Sequence, residues 1–176
     1  MHLLVLGGSL GALAINQLVP KALALLEKAE EVEVRHQCGR NHLAVTRQAY
    51  EEAGVSARIE PFIEDMAGAY SWADFIICRS GALTVSEVAA AGVGSLLIPF
   101  PAAIDDHQTI NGMWLVNGGA ARLIQQRDLT SELLANVLRE MRNSPETLEA
   151  MAASGRNLAV IDASARVASV CEEVMA

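Results

Sequence analysis

Short apolar runs alternate along this chain with longer stretches in which apolar residues recur every three to four positions. "LLVL", "FIIC" and "LLIP" are uninterrupted apolar runs, as in strands buried on both faces of a parallel sheet. The pattern predicts strands over His2–Leu6, Val32–His36, Ala57–Pro61, Asp74–Cys78, Ser95–Pro99 and Ala121–Ile124. After the first of these, Ile15, Leu18, Val19, Ala22, Leu23 and Leu26 fall on one helical stripe. Helix starts are legible as well. "SPET" predicts an N-cap at Ser144 with Pro145 at the first helical position. "DDHQ" places Asp105 three residues before Gln108, the spacing of a capping box, and Asp162 opens the last helix. Strands alternating with helices across short connections predict an α/β fold with a doubly wound, Rossmann-like parallel sheet. Ligands of such sheets sit beyond the carboxyl ends of the strands.

Composition narrows this picture. A chain of 176 residues fits one domain, large enough to bury about two-thirds of its unfolded surface. The apolar share is 52% and the aromatic share only 4%, so the core is mostly Ala, Val, Leu and Ile. No apolar stretch approaches the roughly 20 residues of a membrane span. The start "MHLLVLGGS" lacks the charged flank of a secretion signal. It leads straight into a strand, as an excised or separately encoded domain would. Cys38, Cys78 and Cys171 are widely spaced without a C-x-x-C, which predicts reduced thiols in a cytoplasmic protein. The formal charge of −8 argues against general nucleic-acid binding. It also requires that any phosphate ligand be attracted locally, by backbone N–H groups at a helix start.

Polar residues gather at three strand-to-helix junctions. The first reads strand, then Gly7-Gly8-Ser9-Leu10-Gly11, then helix. It matches neither G-x-G-x-x-G nor the Walker form, and the second strand ends "VRHQCG" without the acid of a nicotinamide site. The loop suits a phosphate or sugar, and equally a plain tight turn. The second junction, "CRSGALTVSE", leaves the amides of Gly81 to Thr84 unpaired at a helix start, where the dipole favours an anion. Glu87 lies three residues beyond Thr84 on the same face, placed to accept hydrogen bonds from a ribose diol, or else merely an exposed helical acid. The third, "PFPAAIDDHQTINGMW", clusters Asp105, Asp106, His107, Gln108 and Asn111. Its amides could bind sugar hydroxyls; the plainer reading is a helix with a polar first turn. Two adjacent acids point apart, which disfavours a metal site. His36 and Gln37 end a strand beside these loops. Phe62 and Ile63 form an apolar strand exit that could pack on a base or belong to the core.

Taken together, "GGSLGA" with Asn16, "HQCGR", "FIEDMAGAYSWAD", "CRSGALTVSE", "AAG", "IPFP", "DDHQTIN" and "DASAR" resemble the C-terminal domain of the MurG family across nearly the whole chain. That family comprises the bacterial glycosyltransferases that convert lipid I to lipid II. The resemblance implies the C-terminal half of a GT-B fold, a single donor-binding domain over 1–176 that takes UDP-N-acetylglucosamine (UDP-GlcNAc). It implies Ile63 at uracil through its backbone, and Glu87 at the ribose hydroxyls. Ala82, Leu83 and Thr84 would meet the diphosphate, with Ser9 and the loop of Gly7, Gly8 and Gly11 nearby. His107, Gln108 and Asn111 would face the N-acetylglucosamine. No cofactor or chelated metal is implied. The family chemistry is an inverting displacement at the sugar C1, and its base and lipid acceptor site belong to an N-terminal domain that nothing in this sequence matches. No catalytic residue is therefore expected here, and the isolated domain is expected to be inactive. The complete enzymes work from the cytoplasm at the inner membrane face. Two departures stand out: Gly94 replaces the family's Pro, and Gly112 its Ala, each adding backbone freedom to a loop of about 1 kcal/mol or less. Competing readings are a stand-alone donor subunit of a two-chain transferase, a UDP-sugar epimerase or other GT-B enzyme, and a non-enzymatic structural domain. The polar loops disfavour the last.

Overall fold

The structure is a computed structural model that describes residues 1–8 and 11–175. The elements run β1 (His2–Leu6), α1 (Leu13–Ala24), β2 (Glu33–Gln37), α2 (Leu43–Ala53), β3 (Arg58–Glu60), α3 (Met66–Trp72), β4 (Phe75–Cys78) and α4 (Ala82–Ala91). There follow β5 (Gly94–Leu97), α5 (His107–Asn117), β6 (Ala121–Leu123), α6 (Ser131–Asn143), α7 (Pro145–Leu158) and α8 (Ala163–Met175). The six strands pair in the order β3-β2-β1-β4-β5-β6, all parallel. This is the doubly wound, Rossmann-like sheet expected from the alternating pattern.

Side-chain alternation divides the core into two layers. Leu3 and Val5 of β1 face one layer, with Ile15, Val19 and Leu23 of α1, Tyr50 of α2 and Leu134 and Leu138 of α6. Leu4 and Leu6 face the other, with Tyr70 of α3, Val85 and Val88 of α4 and Leu115 of α5. The helical stripe of α1 is thus its sheet-facing side. No residue of α8 is buried. No helix among the described residues is long and apolar enough to cross a membrane.

Cap chemistry departs from expectation in two places. Ser144 and Pro145 do open α7, although the Ser144 hydroxyl makes no cap bond. The capping box from Asp105 does not form. Asp105 and Asp106 both take left-handed backbone (φ 52° and 51°), Asp106 is the N-cap, and Gln108 Oε1 accepts instead from Phe100 N–H at 3.0 Å. Elsewhere Asp65 caps α3 by accepting from Gly68 N–H at 2.8 Å.

A buried polar chain links α1, β2 and α2. Asn16 Nδ2 donates to Cys38 O at 2.9 Å, and Asn16 Oδ1 faces His36 Nε2 at 2.9 Å. His36 Nδ1 meets the Tyr50 hydroxyl, also at 2.9 Å. Cys38 O can only accept, which turns the Asn16 amide nitrogen toward it and its oxygen toward His36. The imidazole therefore carries its proton on Nε2 and accepts from Tyr50 on Nδ1. Burial pulls the His36 pKa down to about 3. In the unfolded chain it titrates at about 6.5. Below that pH the unfolded chain takes up a proton that the folded chain refuses until about pH 3. Stability due to His36 is thus full above about pH 6.5 and falls by about 1.4 kcal/mol per pH unit below it. Urea unfolding should show about 2 kcal/mol of His36-dependent loss between pH 7 and pH 5. A folded His36→Gln variant should lack that part of the loss, and an unchanged pH dependence would contradict the assignment.

Candidate functional site

The strand order reverses between β1 and β4, where Leu6 lies opposite Cys78. Chains leaving these two strands diverge to opposite layers, α1 to one and α4 to the other, and a crevice opens between them. Leu6, Gly8, Gln37, Phe62, Ile63, Tyr70, Arg79, Thr84 and Glu87 all line it. Residues separated by most of a hundred positions thus meet at one sheet edge.

The glycine loop is held from below by Gln37 at the end of β2. Gly7 N–H donates to Gln37 O at 2.8 Å and Gly8 N–H to Gln37 Oε1 at 2.9 Å. Gln37 Nε2 donates back to Gly8 O at 3.0 Å and across to Pro61 O at 3.1 Å. One buried amide thereby fastens the loop after β1 to the loop after β3. Gly11 (φ +74°) admits no side chain, since a Cβ would lie 2.5 Å from Cys38 O. Ser9, expected at the diphosphate, lies outside the described residues.

The start of α4 has an open polar face. Gly81 is its N-cap (φ −64°, ψ 149°) and supplies no side chain. The first helical bond runs from Val85 N–H to Gly81 O at 2.9 Å. The N–H groups of Ala82, Leu83 and Thr84 consequently have no protein acceptor among the described residues. The three hydroxyls of "CRSGALTVSE" meet different fates. Ser80 Oγ is buried with no partner among the described residues, Ser86 bonds back to Ala82 O at 3.0 Å, and Thr84 lines the crevice. Glu87, one turn beyond Thr84, accepts from the Tyr70 hydroxyl at 2.8 Å. Burial first, and then this carboxylate, push the Tyr70 phenol well above its usual range, so it stays a donor.

The Ile63 side chain is core, 2% exposed, while Phe62, also on the crevice, is exposed. Neither the N–H nor the C=O of Ile63 is used by another described residue. A base edge could therefore pair with this backbone, whose position is fixed by the buried side chain.

The third loop is clamped to the second by Arg79. Its Nη1 donates to Ile98 O at 3.1 Å and Pro99 O at 3.0 Å, its Nη2 to Gln126 Oε1 at 2.6 Å. The guanidinium also lies 5.6 Å from the Phe100 ring centre. Asn111 Nδ2 donates to Ser80 O at 3.3 Å. Gln108 and Asn111 thus each spend one polar atom on the loops, while the Gln108 Nε2 donor and the Asn111 Oδ1 acceptor have no partner among the described residues. His107 is exposed at the first position of α5. The two glycine departures are not loop residues. Gly94 opens β5 and Gly112 lies inside α5, where a Cβ would come within 2.7 Å of Leu123 Cδ1. Gly112 therefore brings α5 close to the sheet and does not loosen the site.

Of the expected residues, Gly8, Ile63, Thr84 and Glu87 line this crevice, whereas Ala82 and Asn111 line a neighbouring cavity, Leu83, His107 and Gln108 line neither, and Ser9 is undescribed. Sequence reasoning missed the clamping roles of Gln37 and Arg79 and the Tyr70–Glu87 bond. "HQCG" beside a glycine loop hinted at Gln37; Tyr70 carried no local signal.

A glycosyltransferase family 28 C-terminal domain model matches residues 2–167, from β1 into α8. The chain belongs to this family. Its relatives include the UDP-N-acetylglucosamine--N-acetylmuramyl-(pentapeptide) pyrophosphoryl-undecaprenol N-acetylglucosamine transferases of Marinobacter nauticus and Chromohalobacter salexigens. These are 53% and 54% identical over 173 residues, 98% of this chain in each case. The family 28 chain spans about half the length of these curated relatives, 48% and 47%. The crystal structure of Acinetobacter baumannii MurG superposes with a TM-score of 0.91 at 42% identity, over 98% of this chain and 49% of that one. The glycosyltransferase VinC, solved in complex with dTDP, shares the fold at a TM-score of 0.62 and 20% identity, over 89% of this chain and 36% of its own.

Proposed function

We propose that this chain is the donor-binding half of an N-acetylglucosaminyltransferase that makes lipid II from lipid I, and that it binds UDP-GlcNAc in the β1/β4 crevice. The observation that carries the reading is the set of polar groups left able to bind at one end of the sheet: the Ile63 backbone and the Glu87 carboxylate, whose Oε1 has no donor among the described residues, in the crevice, and the α4 amides of Ala82 to Thr84 at its Thr84 side. We assign them to base, ribose and diphosphate respectively. Three helical residues rise about 4.5 Å, which suits the span from ribose hydroxyls to phosphate.

Uracil stacks beside Phe62 and pairs with the Ile63 backbone. Glu87 accepts from the ribose diol. The α4 N–H groups hold the diphosphate, and the helix dipole supplies the attraction that a chain of net charge −8 lacks elsewhere. Beyond the diphosphate, Gln108 Nε2 and Asn111 Oδ1 meet the sugar hydroxyls, with His107 at the mouth. When C1 is attacked, the sugar–phosphate bond breaks and its electron pair leaves on the UDP phosphate. The α4 amides are already oriented toward that charge. The acceptor hydroxyl and the base that takes its proton lie with the other half of the enzyme, which works at the cytoplasmic face of the inner membrane.

Isothermal titration tests this reading. The chain should bind UDP and UDP-GlcNAc with Kd at or below about 1 mM. A folded chain that gives no heat with either nucleotide at millimolar concentration would overturn it.

A further inference from the structure

We propose that Tyr70 is a positioning residue that fixes the Glu87 carboxylate for a ribose diol, and so sets the preference for ribonucleotides over 2′-deoxyribonucleotides. This rests on the donor-site reading above. Glu87 is an exposed helical residue, whereas Tyr70 is 8% exposed and packed in the layer that also holds Ile63 and Val85. A flexible acid is thus tethered to a rigid, buried ring by the 2.8 Å bond to Oε2. Among the described residues Oε1 has no protein donor, and Oε2 keeps a second lone pair.

The tether matters because a diol makes a stricter demand than a single hydroxyl. Two adjacent hydroxyls can be met at once only by a carboxylate in one plane; one hydroxyl can be met after a swivel. Tyr70 removes the swivel. It also belongs to α3, whose N-cap Asp65 follows Ile63 by two residues. The same short helix therefore sets both the base-reading backbone and the ribose-reading carboxylate. The phenol itself makes no proposed contact with the nucleotide.

The test is a set of titrations with UDP and 2′-deoxyuridine diphosphate on wild type, Tyr70→Phe, Glu87→Ala and the double variant. Phenylalanine keeps the packed ring. Tyr70→Phe should weaken UDP by about fivefold to tenfold and the deoxynucleotide by about twofold at most, so the ratio collapses. In the Glu87→Ala background the same change should leave the ratio where it is, since the acceptor of the Tyr70 hydroxyl is gone. Equal weakening of both nucleotides by Tyr70→Phe, or an unchanged ratio, would show that Tyr70 only packs α3 on α4 and would overturn the proposal. Wild type that binds UDP without preferring ribose would overturn it through Glu87. Wild type that binds no UDP would overturn the donor reading itself.

Discussion

Replacing Asn16 by alanine should destabilise the folded chain by about 3–5 kcal/mol. Asn16 is fully buried on α1 and holds two groups that no other described residue reaches from its side. Without its amide, Cys38 O loses a donor and His36 Nε2–H loses its acceptor. Each buried orphan costs about 1–3 kcal/mol, and the vacated volume adds to that. The damage also reaches the crevice, because Cys38 follows Gln37 and its carbonyl forms the wall that excludes a side chain at Gly11. A urea titration of wild type and variant measures the loss. A difference under about 1 kcal/mol would mean that water replaces the amide, and that the network does not lock α1 to β2.

Glu87→Ala should weaken UDP binding by about 10- to 100-fold, which corresponds to about 1.4–2.7 kcal/mol. The variant removes the proposed charged acceptor of two ribose hydroxyls, and charge-assisted bonds contribute about 1.5–3 kcal/mol. Its effect on folding should be smaller, about 1 kcal/mol, because Glu87 is exposed and only the Tyr70 hydroxyl is stranded. The ligand series separates the parts. Uridine and UMP should lose affinity as UDP does, while inorganic pyrophosphate, held by the α4 amides alone, should not. Calorimetry that finds UDP bound as tightly by Glu87→Ala as by wild type would remove the ribose role.

Much of this architecture was legible because the central strands, β1 and β4, are apolar on both faces. "LLVL" and "FIIC" read as buried strands for the same reason that they occupy the centre of the sheet. The order of the strands was not legible, since nothing local in β3 or β6 records which neighbour it pairs with. The crevice residues followed from helix-start chemistry at Gly81–Thr84 and one turn of spacing to Glu87. What escaped were interactions that join distant segments. Tyr70 and Glu87 are 17 residues apart and meet only because α3 packs on α4. Gln37 meets Gly8 across 29 residues. The capping box at Asp105 failed for a related reason: Gln108 had a better partner in Phe100 N–H, supplied by the loop's own path. Gly112 looked like added freedom because its depth in α5 against Leu123 is a tertiary fact.

The proposed path of the nucleotide runs along Ile63, Glu87 and the first turn of α4. Its most direct test is a backbone-amide NMR titration of the 176-residue chain with UDP. Saturable shifts are expected at the amides of Ile63, Ala82, Leu83 and Thr84, with downfield movement at the α4 amides as they take up the diphosphate. Little change is expected at the other end of the sheet, around His2 and Asp74. Saturable binding that leaves Ala82 to Thr84 unmoved, or that shifts only residues away from the β1/β4 crevice, would contradict it.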